Sequence, residues 1–285
     1  MTTCPLSDTE RARLAADCLE IAERGAATAR RGFRSGTTVR EKTAHDIVTP
    51  WDEATQEQLL ALLAARHPGV AVVAEEGGDP NAALPAGLAF AVDPIDGTTN
   101  FAHGHPVWCV SIGVLFDGEP VAGAVVAPCL DTRWHGYRQG ARGVALRNGE
   151  PCAVSRTDAL DQALVATGFP PERGDGPYDN FASFVAVKRR ARAVRRCGSA
   201  AIDIAFVADG TYDGYWERRL HVWDSAAAAA LVLAAGGRVT AIDGGAPDLR
   251  RGHITVTNGV IHDALVAAVH ADPGPIVGGA ASVHQ

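Results

Sequence analysis

The apolar run Leu88-Ala89-Phe90-Ala91-Val92 leads directly into Asp93-Pro94-Ile95-Asp96-Gly97-Thr98-Thr99-Asn100-Phe101. A short apolar run of this kind reads as a buried strand. Two carboxylates therefore stand at its carboxyl end, where open α/β sheets bind their ligands. Pro94 fixes one φ angle between the acids, and Gly97 permits a tight turn behind them. Asp93 and Asp96 can then converge on one point, where two close anions repel unless a cation lies between them. Hard oxygen ligands in a tight geometry suit Mg²⁺ better than zinc. The backbone N–H groups of Gly97 and Thr98, just past the turn, suit an anion such as phosphate. Carboxylates for a metal beside amides for a phosphate imply phosphoryl chemistry.

The chain has 285 residues, enough for one large domain or two closely packed halves. At 47% hydrophobic and 21% charged, its composition is that of an ordinary globular protein. The net charge of −7 argues against nucleic acid as the main partner, which requires a basic face. Abundant alanine is read as coding bias rather than a functional signal. Cys4, Cys18, Cys109, Cys129, Cys152 and Cys197 form no Cys-x-x-Cys pair, so a disulfide frame or zinc site is not expected. The amino terminus has no charged-then-apolar leader and no stretch is long enough to span a bilayer, so a cytoplasmic protein without membrane contact is expected.

Ser7-Asp8-Thr9-Glu10 is a capping box, predicting a helix to about residue 32. Thr49 as N-cap and Pro50 at the first helical position predict a second helix to about residue 66. Residues 70–74 read as a strand and 77–87 as a loop. Short strands follow, with a hairpin at Asp117-Gly118 and a turn over 147–150. The remainder alternates: helix 178–190, strand 193–196, helix 199–208, strand 213–216, helix 223–235, strands 238–242 and 253–257, and helix 260–269. Residues 271–285 read as a disordered tail. Mixed strands and helices favour a layered α/β sandwich. A boundary near residue 150 divides it into halves 1–150 and 151–270, with a site in the crevice between them.

The nine residues from Asp93 to Phe101 resemble the core signature of the inositol monophosphatase family, the Mg²⁺-dependent, lithium-sensitive phosphatases. A bare Asp-x-x-Asp-Gly would describe an acidic turn equally well; the full nine are far more specific. Trp223-Asp224-Ser225-Ala226-Ala227 through Gly236-Gly237 resembles the family's second signature, although Ala234 stands where many members carry Glu. By itself, Asp224 would read as a helix N-cap. Asp46-Ile47-Val48-Thr49 with Asp52, Cys197-Gly198-Ser199-Ala200-Ala201, and the pair Glu75-Glu76 also resemble family elements. The similarity runs from about residue 8 to about residue 270.

This resemblance implies an α-β-α-β-α sandwich of the inositol monophosphatase and fructose-bisphosphatase type. It implies one Mg²⁺ held by Glu75, Asp93 and the Ile95 carbonyl, and a second held by Asp93, Asp96 and Asp224. A third, looser ion near Glu75 and lithium competition at the second site are further implications. Thr98, supported by Asp52 or Glu75, would orient the attacking water. Gly97 and Thr98 would hold phosphate; Gly198, Ser199, Ala200 and Glu217 would contact substrate hydroxyls. Lys42 stands at the family's bacterial-type spacing, and a homodimer is implied.

The expected activity is hydrolysis of a phosphate monoester, inositol-1-phosphate first. Fructose-1,6-bisphosphate, histidinol phosphate or a nucleotide 3′-phosphate are alternatives. Arg218-Arg219 replaces a stretch that usually includes Gly and would suit a second phosphate. His103 and His105 are set aside as metal ligands. Six basic residues within 188–196 read as a solvated face. They are also the candidate surface for a non-enzymatic regulatory role, since some bacterial members of the family bind transcription machinery.

Overall fold

A computed structural model of the chain describes residues 4–42, 46–79, 82–140, 142–170 and 179–272. Helix α1 (Asp8–Gly32) opens on the Ser7–Glu10 capping box. The minimal pair β1 (Arg40–Glu41) and β2 (Ile47–Val48) leads into α2 (Pro50–Arg66), capped by Thr49. A sheet of seven strands follows in the order β3 (Ala71–Ala74), β4 (Leu88–Asp96), β5 (Cys109–Phe116), β6 (Glu119–Ala127), β7 (Thr132–Gln139), β8 (Arg142–Arg147) and β9 (Glu150–Pro151). Helix α3 (Thr98–Ala102) interrupts it after β4. The β5–β6 hairpin turns on Asp117 and Gly118, both at positive φ, as the primed two-residue turn requires.

The second sheet has five strands. They are β10 (Leu164–Thr167), β11 (Ala193–Arg195), β12 (Gly214–Glu217), β13 (Arg238–Ala241) and β14 (Ile254–Thr257), in the order β11-β10-β12-β14-β13. Its helices are α4 (Phe181–Lys188), α5 (Ala200–Ala208), α6 (Val222–Ala234) and α7 (His262–His270). Strand β10 has no counterpart among the sequence expectations, and neither does α3. Four apolar or small residues carry no period that separates β10 from a loop; its pairing with β11 and β12 makes it a strand. The predicted start of helix 178–190, part of the loop 77–87 and the tail from 273 onward lie outside the described residues.

Alternation along the strands builds five layers. Phe90 and Val92 of β4, with Val110, Ile112 and Val114 of β5, pack against Leu14, Cys18 and Ile21 of α1 and Leu59 and Leu63 of α2. On the other face, Ala91, Val125 and Trp134 meet Ala205 of α5 and Ala226 and Leu231 of α6. Tyr215, Ile254 and Val256 of the second sheet close the same core from beyond those helices. Val165 and Trp216 face outward again, onto Val187 of α4 and Leu265 and Val269 of α7. The expected α-β-α-β-α order is the one found.

The alanines of helix α6 have a packing role. Helix α6 lies between two sheets, and Ala226, Ala227, Ala228, Ala229 and Ala230 are all fully buried. A Cβ at Gly113 would come within 2.7 Å of the Ala226 Cβ, and one at Gly123 within 2.6 Å of the Ala227 Cα. Small residues on both partners let the helix sink onto the sheet.

Candidate active site

Parallel pairing of β3 with β4 sets Ala74 beside Val92, so Glu75 and Asp93 leave the same sheet edge together. Asp93 and Asp96 are three positions apart, a spacing that puts side chains on opposite faces of a regular strand. A β-bulge removes the conflict. Asp93 pairs with Ser111 and Asp96 with Cys109, so three steps along β4 match two along β5. Residues 109 and 111 share a face, and the extra residue in β4 swings Asp96 round to the side of Asp93. Gly97 then turns the chain at φ 95°, where a Cβ would press on the Val107 and Gly198 carbonyl oxygens at 3.0 and 3.1 Å.

Asp224 reaches the same place from α6. It is not the N-cap that its position suggested: the helix begins at Val222, His221 is the cap, and Asp224 is the third residue. Its Oδ2 accepts the His221 N–H at 2.6 Å. Glu75, Asp93, Asp96 and Asp224 all line one cavity of about 670 Å³. Burial, then mutual repulsion, pushes Asp93 and Asp224 well above the usual carboxylate range. Burial raises Glu75 and brings Asp96 up to about 6. Among the described residues no three such side chains already stand at chelating distance. Four mutually repelling carboxylates, Asp93 and Asp96 buried and Glu75 and Asp224 half-buried, are nevertheless the donor chemistry that a hard divalent cation satisfies.

Each acid has a support. Asp96 Oδ2 accepts the Ser199 hydroxyl at 2.6 Å and the Ala201 N–H at 2.7 Å, both from the start of α5. The Ser199 side chain is thus turned onto Asp96, and Gly198, Ser199 and Ala200 all line the cavity. The Asn100 amide donates to the carbonyls of Val107 at 2.6 Å and Cys197 at 2.9 Å, bracing α3 against the 197–200 turn. Lys42 Nζ lies 2.9 Å from Glu75 Oε1 and 2.6 Å from Glu76 Oε1. Burial would pull that ammonium down, but the two carboxylates hold it above the ordinary lysine range.

Asp52 does more than cap α2. One oxygen takes the Thr49 N–H and hydroxyl at 2.8 and 2.6 Å; the other lies 3.0 Å from Thr98 Oγ1. Thr98 Oγ1 is also 3.0 Å from the Ile95 carbonyl, so its single proton can serve only one of the two acceptors at a time. Burial raises Asp52 to about 6.

On the far wall stand Glu217, Tyr215 and Asp203. The Tyr215 hydroxyl donates to Glu217 Oε2 in a close contact. A Cβ at Gly168 would fall 2.2 Å from Glu217 Oε1, so the glycine leaves room for that carboxylate where it stands. Burial lifts Glu217 to about 8 and Asp203 to about 7. Neither Tyr215 nor Asp203 is among the site residues expected from sequence, yet a charge among Ala201, Ile202, Ile204 and Ala205 is a readable signal. Arg218 does not face the cavity: its Nη1 donates to Asn180 Oδ1 and Ser183 Oγ, each at 2.8 Å. Arg219 does line the cavity. A second phosphate would therefore meet one of the two arginines.

The profile of the inositol monophosphatase family matches residues 11–273. The chain belongs to this family. An inositol-1-monophosphatase of Synechocystis sp. is 41% identical over 236 residues, covering 82% of this chain and 81% of that protein. The Nus factor SuhB of Pseudomonas aeruginosa is 37% identical, over 81% of this chain and 86% of its own. The solved inositol monophosphatase of Anabaena (Nostoc) sp. superposes with a TM-score of 0.78 at 35% identity, over 90% of this chain and 95% of that one. As a member of the inositol monophosphatase family, the protein is a phosphoric monoester hydrolase. Among the described residues no helix is long and apolar enough to cross a membrane.

Proposed function

We propose that the protein hydrolyses inositol-1-phosphate to inositol and phosphate in a Mg²⁺-dependent reaction. The observation that carries this reading is the convergence of Glu75, Asp93, Asp96 and Asp224 on one cavity beside the Gly97-Thr98 turn. Those four carboxylates and the Ile95 carbonyl would hold two or three Mg²⁺ ions, with Asp93 common to both principal positions. Bound there, Mg²⁺ supplies neutralising charge for the phosphoryl group and makes water a competent nucleophile at neutral pH.

The chain's own groups do the rest. The Gly97 and Thr98 N–H groups hold phosphate oxygens. Thr98 Oγ1 orients the attacking water; as the water oxygen bonds to phosphorus, its proton passes through the threonine hydroxyl to Asp52, 3.0 Å away. The ester P–O bond breaks on the opposite side, and the leaving alkoxide takes a proton from solvent. Glu217 accepts a hydroxyl of the leaving group, with the Gly198 and Ala200 backbone alongside. Ser199 acts indirectly, by holding Asp96. The reading extends to lithium inhibition and a homodimer, each supported by the family resemblance, and to a cytoplasmic setting.

Phosphate release from inositol-1-phosphate tests it, with and without Mg²⁺ and lithium, in the wild type and Asp96→Asn. Mg²⁺-dependent, lithium-suppressed release that the variant lacks is expected. A wild type active only on fructose-1,6-bisphosphate, histidinol phosphate or a nucleotide 3′-phosphate would move the substrate to those.

A second reading, a regulatory role apart from catalysis, is favoured by one observation. Lys188, Arg189, Arg190, Arg192, Arg195 and Arg196 are all exposed, at the end of α4 and along the sheet-edge strand β11. If Asp96→Asn loses activity but retains a cellular phenotype that reversal of these charges abolishes, the regulatory reading gains.

A further inference from the structure

Asp203 is the only charged residue among the buried positions of α5, whose others are Ala201, Ile202, Ile204, Ala205, Val207 and Ala208. It is 1% exposed, and its Oδ1 has no hydrogen-bond partner among the described residues. An apolar side chain would pack that helix without leaving a carboxylate oxygen unsatisfied, and buried polar atoms in folded proteins are nearly always paired. Asp203 nevertheless lines the cavity that holds the metal-side acids, on the wall it shares with Tyr215 and Glu217. Burial raises its carboxyl, while the Cys197 thiol and N–H and the Arg196 charge offset part of that. Oδ1 itself is covered, so the donor it lacks would reach it from the cavity that Asp203 lines by a small turn of the carboxyl.

We propose that Asp203 is a specificity-determining residue that accepts a hydroxyl of the leaving group, so that Asp203 and Glu217 together select a leaving group with at least two hydroxyl donors. This rests on the reading of the cavity as a phosphatase site. Glu217 is already committed on one oxygen to Tyr215, which fixes its orientation and leaves the other for a single hydroxyl. Asp203 supplies the second acceptor. A polyol satisfies both; an aryl or simple alkyl leaving group leaves the buried Asp203 carboxylate unsatisfied, the situation in which polar sites discriminate most strongly. The class selected is therefore phosphate monoesters of polyhydroxylated rings or chains.

The test compares wild type with Asp203→Asn and Asp203→Leu on inositol-1-phosphate and p-nitrophenyl phosphate, whose leaving group has no further hydroxyl. The loss of kcat/KM on inositol-1-phosphate is expected to exceed that on p-nitrophenyl phosphate by about 10-fold or more, mainly through KM. Product inhibition provides a reading that a merely structural role would not move. Inositol should bind the variants at least several-fold more weakly, while inhibition by inorganic phosphate keeps its strength relative to wild type. Equal losses on both substrates, or unaltered inositol inhibition in a folded variant, would overturn the proposal alone. A wild type that releases phosphate from neither substrate would overturn the inositol-1-phosphate reading and this one with it.

Discussion

The Ser199 hydroxyl donates to Asp96 Oδ2 at 2.6 Å across 103 positions of chain. It ties the start of α5 to the end of β4 at an acid of the candidate metal site. A charge-assisted hydrogen bond to a buried carboxylate both orients it and favours its ionised form. Ser199→Ala removes that donor and leaves the Ala201 N–H in place. The Mg²⁺ concentration for half-maximal activity should rise by about 10-fold, in the range of supporting-residue effects at metal sites, with kcat at saturating Mg²⁺ less affected. Mg²⁺ titration of initial rates checks this; an unshifted titration would show that Asp96 needs no such anchor.

Thr98 and Asp52 should behave as a unit. If the threonine hydroxyl conveys the water's proton to Asp52, Thr98→Val and Asp52→Asn each lower kcat by about 10²-fold or more, with little change in KM. The double variant should be scarcely worse than either single one. Thr98→Ser should keep most of the activity. Multiplicative losses in the double variant would separate the two residues.

The metal-free protein should become more stable as pH falls from 8.5 to about 6.5. Asp52 and Asp96, raised to about 6, Asp203 at about 7 and Glu217 at about 8 all bind protons more tightly folded than unfolded. Their favourable contribution is complete below the ordinary carboxylate range and is lost as pH rises through these values. Below about 6.5 the buried His262, pushed down to about 4, opposes the trend, because its ring must stay neutral to remain folded. Melting temperature in chelator should therefore rise on acidification over the upper window. Mg²⁺ should raise it more at pH 8 than at pH 6, where protons compete. A melting temperature that falls steadily from pH 8.5 to 6.5 in chelator would contradict this assignment.

Arg218 and Arg219 should separate in their effects. Arg218 braces Asn180 and Ser183, at the start of α4, so Arg218→Ala should lower stability by about 1–3 kcal/mol, the range for partners of buried polar groups. Its KM for inositol-1-phosphate should change little. Arg219→Ala, at the cavity wall, should leave stability within about 0.5 kcal/mol of wild type and shift the preference between mono- and bisphosphate substrates. Chemical denaturation and a two-substrate KM comparison distinguish them, and a reversed pattern would reverse the assignment.

Local rules are legible in the order of residues alone. The Ser7 and Thr49 capping boxes set helix starts, and Asp117-Gly118 and Asn148-Gly149 set turns. The apolar run before Asp93 marks a strand ending in carboxylates. These depend on neighbours within a few residues, where sterics and periodicity act directly. The family resemblance extends that reach to the five-layer order and to the distant acids Glu75, Asp224 and Glu217.

What pairing and packing decided lies beyond that range. The bulge that brings Asp96 onto the face of Asp93 exists only because β5 pairs across it. Short β10 became a strand by acquiring two partners, and the alanines of α6 acquired their purpose when two sheets closed on them. Arg218, adjacent in sequence to the cavity-lining Arg219, turns instead to Asn180 and Ser183 because α4 stands within its reach. Asp203 is legible in sequence as one charge on an apolar helix, but only the fold buries it beside the cavity with one oxygen unsatisfied. Side-chain direction and desolvation belong to the assembled structure, since they depend on which distant segments meet.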